Sequence, residues 1–240
     1  LESPALTVNR LCGSGFEAVI LGARILMSNE ANCVLVGGTE SMSQAPHIIR
    51  GARFGLPLGQ SKLEDSLWEC LTDSYCNLPM ALTAENLAVK YKISQSEVDE
   101  YSAQSQAKYK LALESNLFKD ELAPIPCGSK KKPATLEADE HPRPNTTLEK
   151  IKTLPKVFKK DGVIHAAAAS GICDGAAALV MCRQSFARKN NLEILGELTN
   201  FAVVGCDPSI MGIGPAPATE RLLSMTGLTI GDIDLIEFNE

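Results

Sequence analysis

Residues 5–38 decide the fold. They read Ala5-Leu6-Thr7-Val8, then Asn9-Arg10-Leu11-Cys12-Gly13-Ser14-Gly15, then a helical stretch, then Cys33-Val34-Leu35-Val36-Gly37-Gly38. The first four residues form a short β-prone run. From residue 16 to about residue 28, Phe16, Ile20, Ala23 and Met27 recur at spacings of three and four, which is one face of a helix. Residues 29–32 break that pattern. Cys33-Val34-Leu35-Val36 is a continuous apolar run closed by two glycines, the pattern of a strand buried on both faces. Strand, helix, strand in so short a stretch predicts a βαβ unit and an α/β fold.

Outward from that unit the character changes between residues 41 and 165, where prolines and basic residues collect. A helix is expected over residues 83–92. A second is announced by Ser94-Gln95-Ser96-Glu97, a capping box in which side chain and backbone satisfy each other's free donors, and runs to about residue 115. Residues 127–160 read as turns, punctuated by Gly128, Pro133, Pro142 and Pro144. The block reads as an inserted subdomain of loops, where function concentrates. Core character returns at Gly171, and residues 176–182 read as a buried strand. A second α/β pattern then begins: residues 192–204 are strand-rich, 218–226 form a helix stopped by Gly227, and 233–238 form a strand. The domain reading is therefore residues 1–40 with 168–189 as one α/β half, 41–167 as the inserted loop domain, and 190–240 as the start of a second half.

Composition narrows the class. Hydrophobic content is 45% and charged content 22%, ordinary for a globular protein. Apolar runs are strand-sized, short of the ~20 residues a membrane helix needs, so no membrane insertion is expected. The net charge of −6 argues against nucleic acid as a partner. One stretch departs from that balance. Between residues 125 and 165 nine Lys/Arg stand against five acids. A solvated loop or a site for a small anion would each explain it. The eight cysteines include no C-x-x-C pair and the three histidines no metal spacing, so reduced structural thiols are expected and no metal. The sequence lacks an initiator Met and stops after a strand-like run; it reads as an incomplete chain, so a missing targeting segment carries no weight.

Cys12 is the sharpest chemical feature. It is placed where a strand gives way to a helix, followed by residues small enough for close backbone approach. Unpaired N–H groups and the positive end of the helix dipole favour a thiolate there, and the thiolate is the nucleophile in covalent catalysis. The same N–H groups suit an oxyanion. The plain alternative is a structural cysteine. A rival reading takes Gly13-Ser14-Gly15-Phe16-Glu17-Ala18 as a dinucleotide fingerprint with Glu40 on the ribose, although four residues separate the apolar run from the first glycine. Ser170, before a run of small residues, could bond a ligand amide. Met211-Gly212-Ile213-Gly214-Pro215 is a turn-rich loop with an apolar tip. Asn239 offers a fixed amide. His47, His141 and His165 show no pairing with Cys12.

Taken in order, the segments resemble the thiolase family: Val8-Asn9-Arg10-Leu11-Cys12-Gly13-Ser14-Gly15, Gly37-Gly38-Thr39-Glu40-Ser41-Met42-Ser43, Ala169-Ser170-Gly171 with Asp174-Gly175-Ala176-Ala177-Ala178, Cys206-Asp207-Pro208 through Pro215, and Glu237-Phe238-Asn239-Glu240. Leu78-Pro79-Met80 and Asp139-Glu140-His141-Pro142-Arg143-Pro144 point to its mitochondrial 3-ketoacyl-CoA branch, with acetoacetyl-CoA thiolysis as the neighbouring activity. The resemblance implies a layered α/β/α/β/α fold with a loop domain, and thiolytic cleavage of 3-ketoacyl-CoA in β-oxidation. It makes Cys12 the nucleophile and assigns Asn239 to an oxyanion-hole water. Arg143, Thr146 and Ser170 would contact coenzyme A, and Met80 and Met211 would line the pocket. It implies CoA as co-substrate with no permanently bound cofactor, a mitochondrial location, and assembly as tetramers built from dimers. The family's activating histidine and second cysteine are not matched in these 240 residues, so no turnover is expected of them alone; an inactive scaffold remains the third class of reading. Ala167 and Ala168 stand where the family has Gly and Asn, and His165 and Cys173 are unusual for it.

Overall fold

A computed structural model describes residues 2–59 and 62–239. In chain order the helices are α1 (Ser14–Met27), α2 (Ser66–Cys70), α3 (Met80–Tyr91), α4 (Gln95–Glu114), α5 (Leu148–Lys152), α6 (Gln184–Lys189) and α7 (Pro215–Thr226). The strands are β1 (Cys33–Ser41), β2 (His47–Ile48), β3 (Glu64–Asp65), β4 (Thr72–Asp73), β5 (Leu78–Pro79), β6 (Ile125–Ser129), β7 (Lys132–Leu136) and β8 (Asp174–Cys182). No helix among the described residues is long and apolar enough to cross a membrane. The chain divides into two compact units. One holds the chain up to Asp73, Ile172–Cys206 and Ile213–Glu237; the other holds Ser74–Gly171, Asp207–Gly212 and the last residues from Phe238.

The first unit is built on β1 and β8, which pair antiparallel over nine residues, from Cys33↔Cys182 to Ser41↔Asp174. The long-range partner of the first strand therefore arrives more than 130 residues later, which is why nothing local in the sequence identifies it. Helix α1 lies against one face of this ladder on glycine contacts. A Cβ on Gly22 would come 2.6 Å from Val36 Cγ1, and one on Gly38 would touch Gly15 Cα at 3.6 Å. Asp174, at the start of β8, accepts from the Ser43 backbone N–H at 2.9 Å and from its hydroxyl at 2.5 Å, which ties the exit of β1 to the entry of β8. Those two bonds hold the Asp174 carboxyl below its usual pKa, and the loss of exposure opposes them only in part.

Three sequence expectations fail here. Residues 5–8, 192–204 and 233–238 form no strand. Each runs as irregular backbone with no ladder partner among the described residues, and a strand exists only where its N–H and C=O groups are paired. The βαβ unit is accordingly reduced to α1 and β1, and the partner of β1 is antiparallel. Nor are β1 and β8 buried on both faces: Leu35 and Val180, on the face away from α1, are 75% and 69% exposed. Helix α7 ends where expected, with Gly227 at φ 71° supplying the left-handed residue that stops it.

The second unit is helical. α4 opens with the expected capping box, Ser94 accepting from the Glu97 N–H while the Glu97 carboxylate accepts from the Ser94 N–H at 2.7 Å. The serine's N–H and hydroxyl bonds lower the Glu97 pKa. α3 begins three residues earlier than expected, because Pro79, extended at ψ 145°, leaves Met80 as the first helical residue. Turns are expected over residues 127–160, but residues 125–136 form a β6–β7 hairpin closed by Lys130-Lys131, with Ser129 opposite Lys132. Ile151 of α5 is fully buried and is the largest apolar anchor of the unit.

Candidate active site

Cys12 occupies a tight turn held from four directions. Leu11, immediately before it, has φ 46°, a left-handed conformation costing a non-glycine residue roughly 1–2 kcal/mol. Such strain persists only where neighbours over-determine it. Here Asn9 Oδ1 accepts from Leu11 N at 2.8 Å, and Gly13 N donates to Arg10 O at 3.0 Å. Ser14 donates to Leu11 O from both its N–H (3.0 Å) and its hydroxyl (2.7 Å), and that hydroxyl accepts from Arg10 N at 2.8 Å. The Arg10 guanidinium meets Glu17 at 2.9 Å. The result is an exposed thiol two residues before the first residue of α1. Gly13 caps the helix without a side chain, so the dipole's positive end is not blocked by an acidic cap. The dinucleotide reading of Gly13 and Gly15 loses its support, because that fingerprint needs a strand running into the turn and residues 5–8 supply none.

The five substrate-binding candidates and Asn239 all belong to the second unit. Ser170 ends a segment that starts at Gly162 and is pinned by two buried acids. Glu85 of α3, only 3% exposed, accepts from Val163 N at 2.9 and 3.1 Å and from Ile164 N at 3.0 Å. A Cβ at Gly162 would fall 2.2 Å from Glu85 Oε1, so glycine is required for this approach. Three residues on, His165 Nε2 lies 2.8 Å from Asp99 Oδ1 of α4, both side chains almost wholly buried. Gln95 also donates to Asp99, at 2.5 Å, and takes a bond from Lys156 Nζ in turn. Burial pushes the Asp99 carboxyl up; the bonds from Gln95 and His165 and the positive charge of His165 and Lys156 overcome it, leaving the pKa below its usual value. His165 Nδ1 is buried without a hydrogen-bond partner.

Arg143 and Thr146 follow His141 in the chain, and His141 packs beside Ser170. A Cβ on Gly171 would stand 1.7 Å from His141 Cε1, so the ring packs directly against the residue after Ser170 and glycine is required there. Arg143 N donates to Gln106 Oε1 of α4 at 2.7 Å, and Thr146 N closes a turn onto Arg143 O at 2.9 Å. The Arg143 guanidinium rests on its own chain, 2.9 Å from Glu140 O and 3.4 Å from Pro142 O. The basic stretch is thus not one patch: Lys130 and Lys131 close the hairpin and Lys156 serves Asp99. Met80 opens α3. Met211 sits in the 208–213 turn, which Asn86 Nδ2 of α3 holds by Ser209 O at 2.9 Å. A Cβ on Gly212 would meet Leu87 at 2.9 Å, so this loop also rests on α3. Asn239 is described; Glu240, the last residue of its motif, lies outside the described residues.

Cys12 is thus an exposed thiol on a left-handed turn at the start of α1. In the other unit, Ser170 ends a loop pinned by the buried Glu85 and Asp99. The chain belongs to the thiolase family: residues 1–185 match the thiolase N-terminal domain and residues 192–240 the thiolase C-terminal domain. It is 53% identical over 240 residues to the mitochondrial 3-ketoacyl-CoA thiolase of Homo sapiens, covering all of this chain and 60% of that protein. The Bos taurus counterpart is 49% identical with the same coverage. The acetyl-CoA acetyltransferase of Pseudomonas aeruginosa is 42% identical over 239 residues, covering 99% of this chain and 61% of that one. The crystal structure of the human mitochondrial enzyme superposes with a TM-score of 0.94 over 98% of this chain and 60% of its own. The same enzyme in complex with CoA gives 0.92 at 52% identity, covering 98% and 58%. The α/β thiolase fold expected from the sequence is therefore the fold of this chain, which spans about three fifths of the length of these relatives.

Proposed function

We propose that these 240 residues are the nucleophile-bearing and CoA-binding part of a 3-ketoacyl-CoA thiolase. The observation that carries the reading is the 53% identity to the human mitochondrial enzyme along the whole chain, with Cys12 held on its strained turn. In this reading the Cys12 thiolate attacks the 3-keto carbon, the C2–C3 bond breaks, and acetyl-CoA leaves after its carbanion is protonated. CoA thiolate then takes the acyl group from Cys12 and releases the shortened acyl-CoA. Arg143, Thr146 and Ser170 hold the CoA moiety, Met80 and Met211 line the acyl pocket, and Asn239 positions a water for the oxyanion. CoA acts as co-substrate. Protonating the carbanion and activating Cys12 each require a general acid–base. His165 is committed to Asp99, and His141 is packed on Gly171. The domain division at residues 40, 167 and 189, a mitochondrial location and homo-oligomeric assembly of the whole protein belong to the same proposal. The lower identity to acetyl-CoA acetyltransferases makes acetoacetyl-CoA the second substrate reading.

Calorimetric titration tests the binding half. Saturable binding of CoA with none of NAD is expected; binding of NAD without CoA would overturn the reading.

A further inference from the structure

We propose that Cys33 and Cys182 form a reversible dithiol–disulfide site at the open end of the β1–β8 ladder. The inference rests on strand register and is independent of the thiolase reaction. The two residues are direct partners in the antiparallel pair, and opposed residues project from the same face of a sheet. That face is fixed by the helix on the other side. Val34, Val36 and Met181 are the atoms met by a Cβ on Gly22 of α1. Cys33 and Cys182 are one residue out of phase with these, so they face away from α1, beside Leu35 and Val180.

Opposed Cα atoms in an antiparallel ladder lie about 4.5–5.5 Å apart, inside the range of about 4.4–6.8 Å that a disulfide spans. The register therefore meets the Cα–Cα requirement of a disulfide. The ladder end is also held against fraying: the Arg183 guanidinium, next to Cys182, donates to both Asn29 and Asn32 in the turn that leads into Cys33. Both thiols are free, Cys33 exposed and Cys182 half-buried. Among the described ladders no other two cysteines are opposed. Neither thiol has a part in acyl transfer.

With a peroxide as oxidant, one thiolate attacks the O–O bond of hydrogen peroxide, giving a sulfenic acid and hydroxide. The second thiolate displaces hydroxide from that sulfur. Two thiols lose two electrons to one peroxide, and two waters are formed. A small-molecule disulfide achieves the same by two exchanges, releasing two thiols, and a dithiol reductant reverses either route.

The experiment treats the purified protein with hydrogen peroxide or glutathione disulfide, blocks free thiols with iodoacetamide, and maps non-reduced peptides by mass spectrometry. A linked pair containing Cys33 and Cys182, two hydrogens lighter than the separate peptides and resolved by dithiothreitol, is expected. Cys182→Ala abolishes it; should that variant fail to fold, Cys33→Ser, at the exposed partner, provides the same control. Recovery of both cysteines as separately alkylated peptides after oxidation, or a link from Cys33 to a different cysteine, overturns the proposal.

Discussion

Truncating Glu85 is the most informative perturbation of the loop that carries Ser170. Its carboxylate is buried in α3, and two backbone donors, Val163 N and Ile164 N, end on it at 2.9–3.1 Å. In Glu85→Ala both donors lose their acceptor. Ile164 is buried and Val163 half-buried, so stranding the first N–H costs about 1–3 kcal/mol and the second less, a loss of roughly 1–4 kcal/mol. That is a large part of the ~5–15 kcal/mol by which domains are stable. Urea unfolding followed by circular dichroism should show a lower midpoint with an unchanged slope. Because the same segment runs on to Ser170, CoA affinity measured well below the unfolding midpoint should fall as well. Glu85→Gln keeps one oxygen but turns an amide donor toward a backbone N–H, so it should lie between the two. A change below about 0.5 kcal/mol in Glu85→Ala, the size of an ordinary surface substitution, would refute the claim that this carboxylate organises residues 162–165.

Other outcomes follow from the same geometry. The Asp99 carboxyl sits below its usual pKa, so its contribution is fully present above about pH 4 and is lost as pH falls through the depressed folded value. Asp99→Asn should flatten the acid limb of a stability–pH curve, and an unchanged limb would contradict the assignment. In Gly171→Ala the new Cβ occupies the His141 ring, so calorimetry should show weakened CoA binding with little change in far-UV circular dichroism. Arg143→Ala should weaken CoA binding by roughly 10- to 100-fold, the worth of a charge-assisted bond, and should reduce the salt dependence of binding. Equal affinity and salt dependence would remove Arg143 from the site.

What the sequence disclosed was local. The capping box at Ser94 and Glu97, the helix following Cys12 and the stop at Gly227 depend on neighbours a few residues away, and the structure contains all three. The buried face of that helix is Ile20, Gly22, Ala23 and Leu26, while Phe16 and Met27, expected on it, are exposed. The segments at 5–8, 192–204 and 233–238 carry β-prone residues, but a strand is a relation to a partner, and residue preference does not supply one. The β6–β7 hairpin escaped because Gly128 and Pro133, opposite each other in the ladder, read as breakers, and its Lys130-Lys131 turn lacks the usual Asn-Gly signature. Cys12 was legible because its chemistry is written beside it. Its turn rests equally on Asn9 and Ser14, whose role only the hydrogen bonds disclose. Glu85 and Asp99 lay hidden because a buried acid on a helix looks like any polar helix residue until its distant partner is known.

The central claim is that Cys12 carries the acyl group. The most direct measurement is thiolysis of 3-ketoacyl-CoA by the full-length protein, with intact-mass detection of the acyl adduct under single turnover. The account predicts an adduct on Cys12, and in Cys12→Ala neither adduct nor turnover, a loss on the order of 10³-fold or more for a missing nucleophile. An adduct on another residue, or turnover retained in Cys12→Ala, would contradict it.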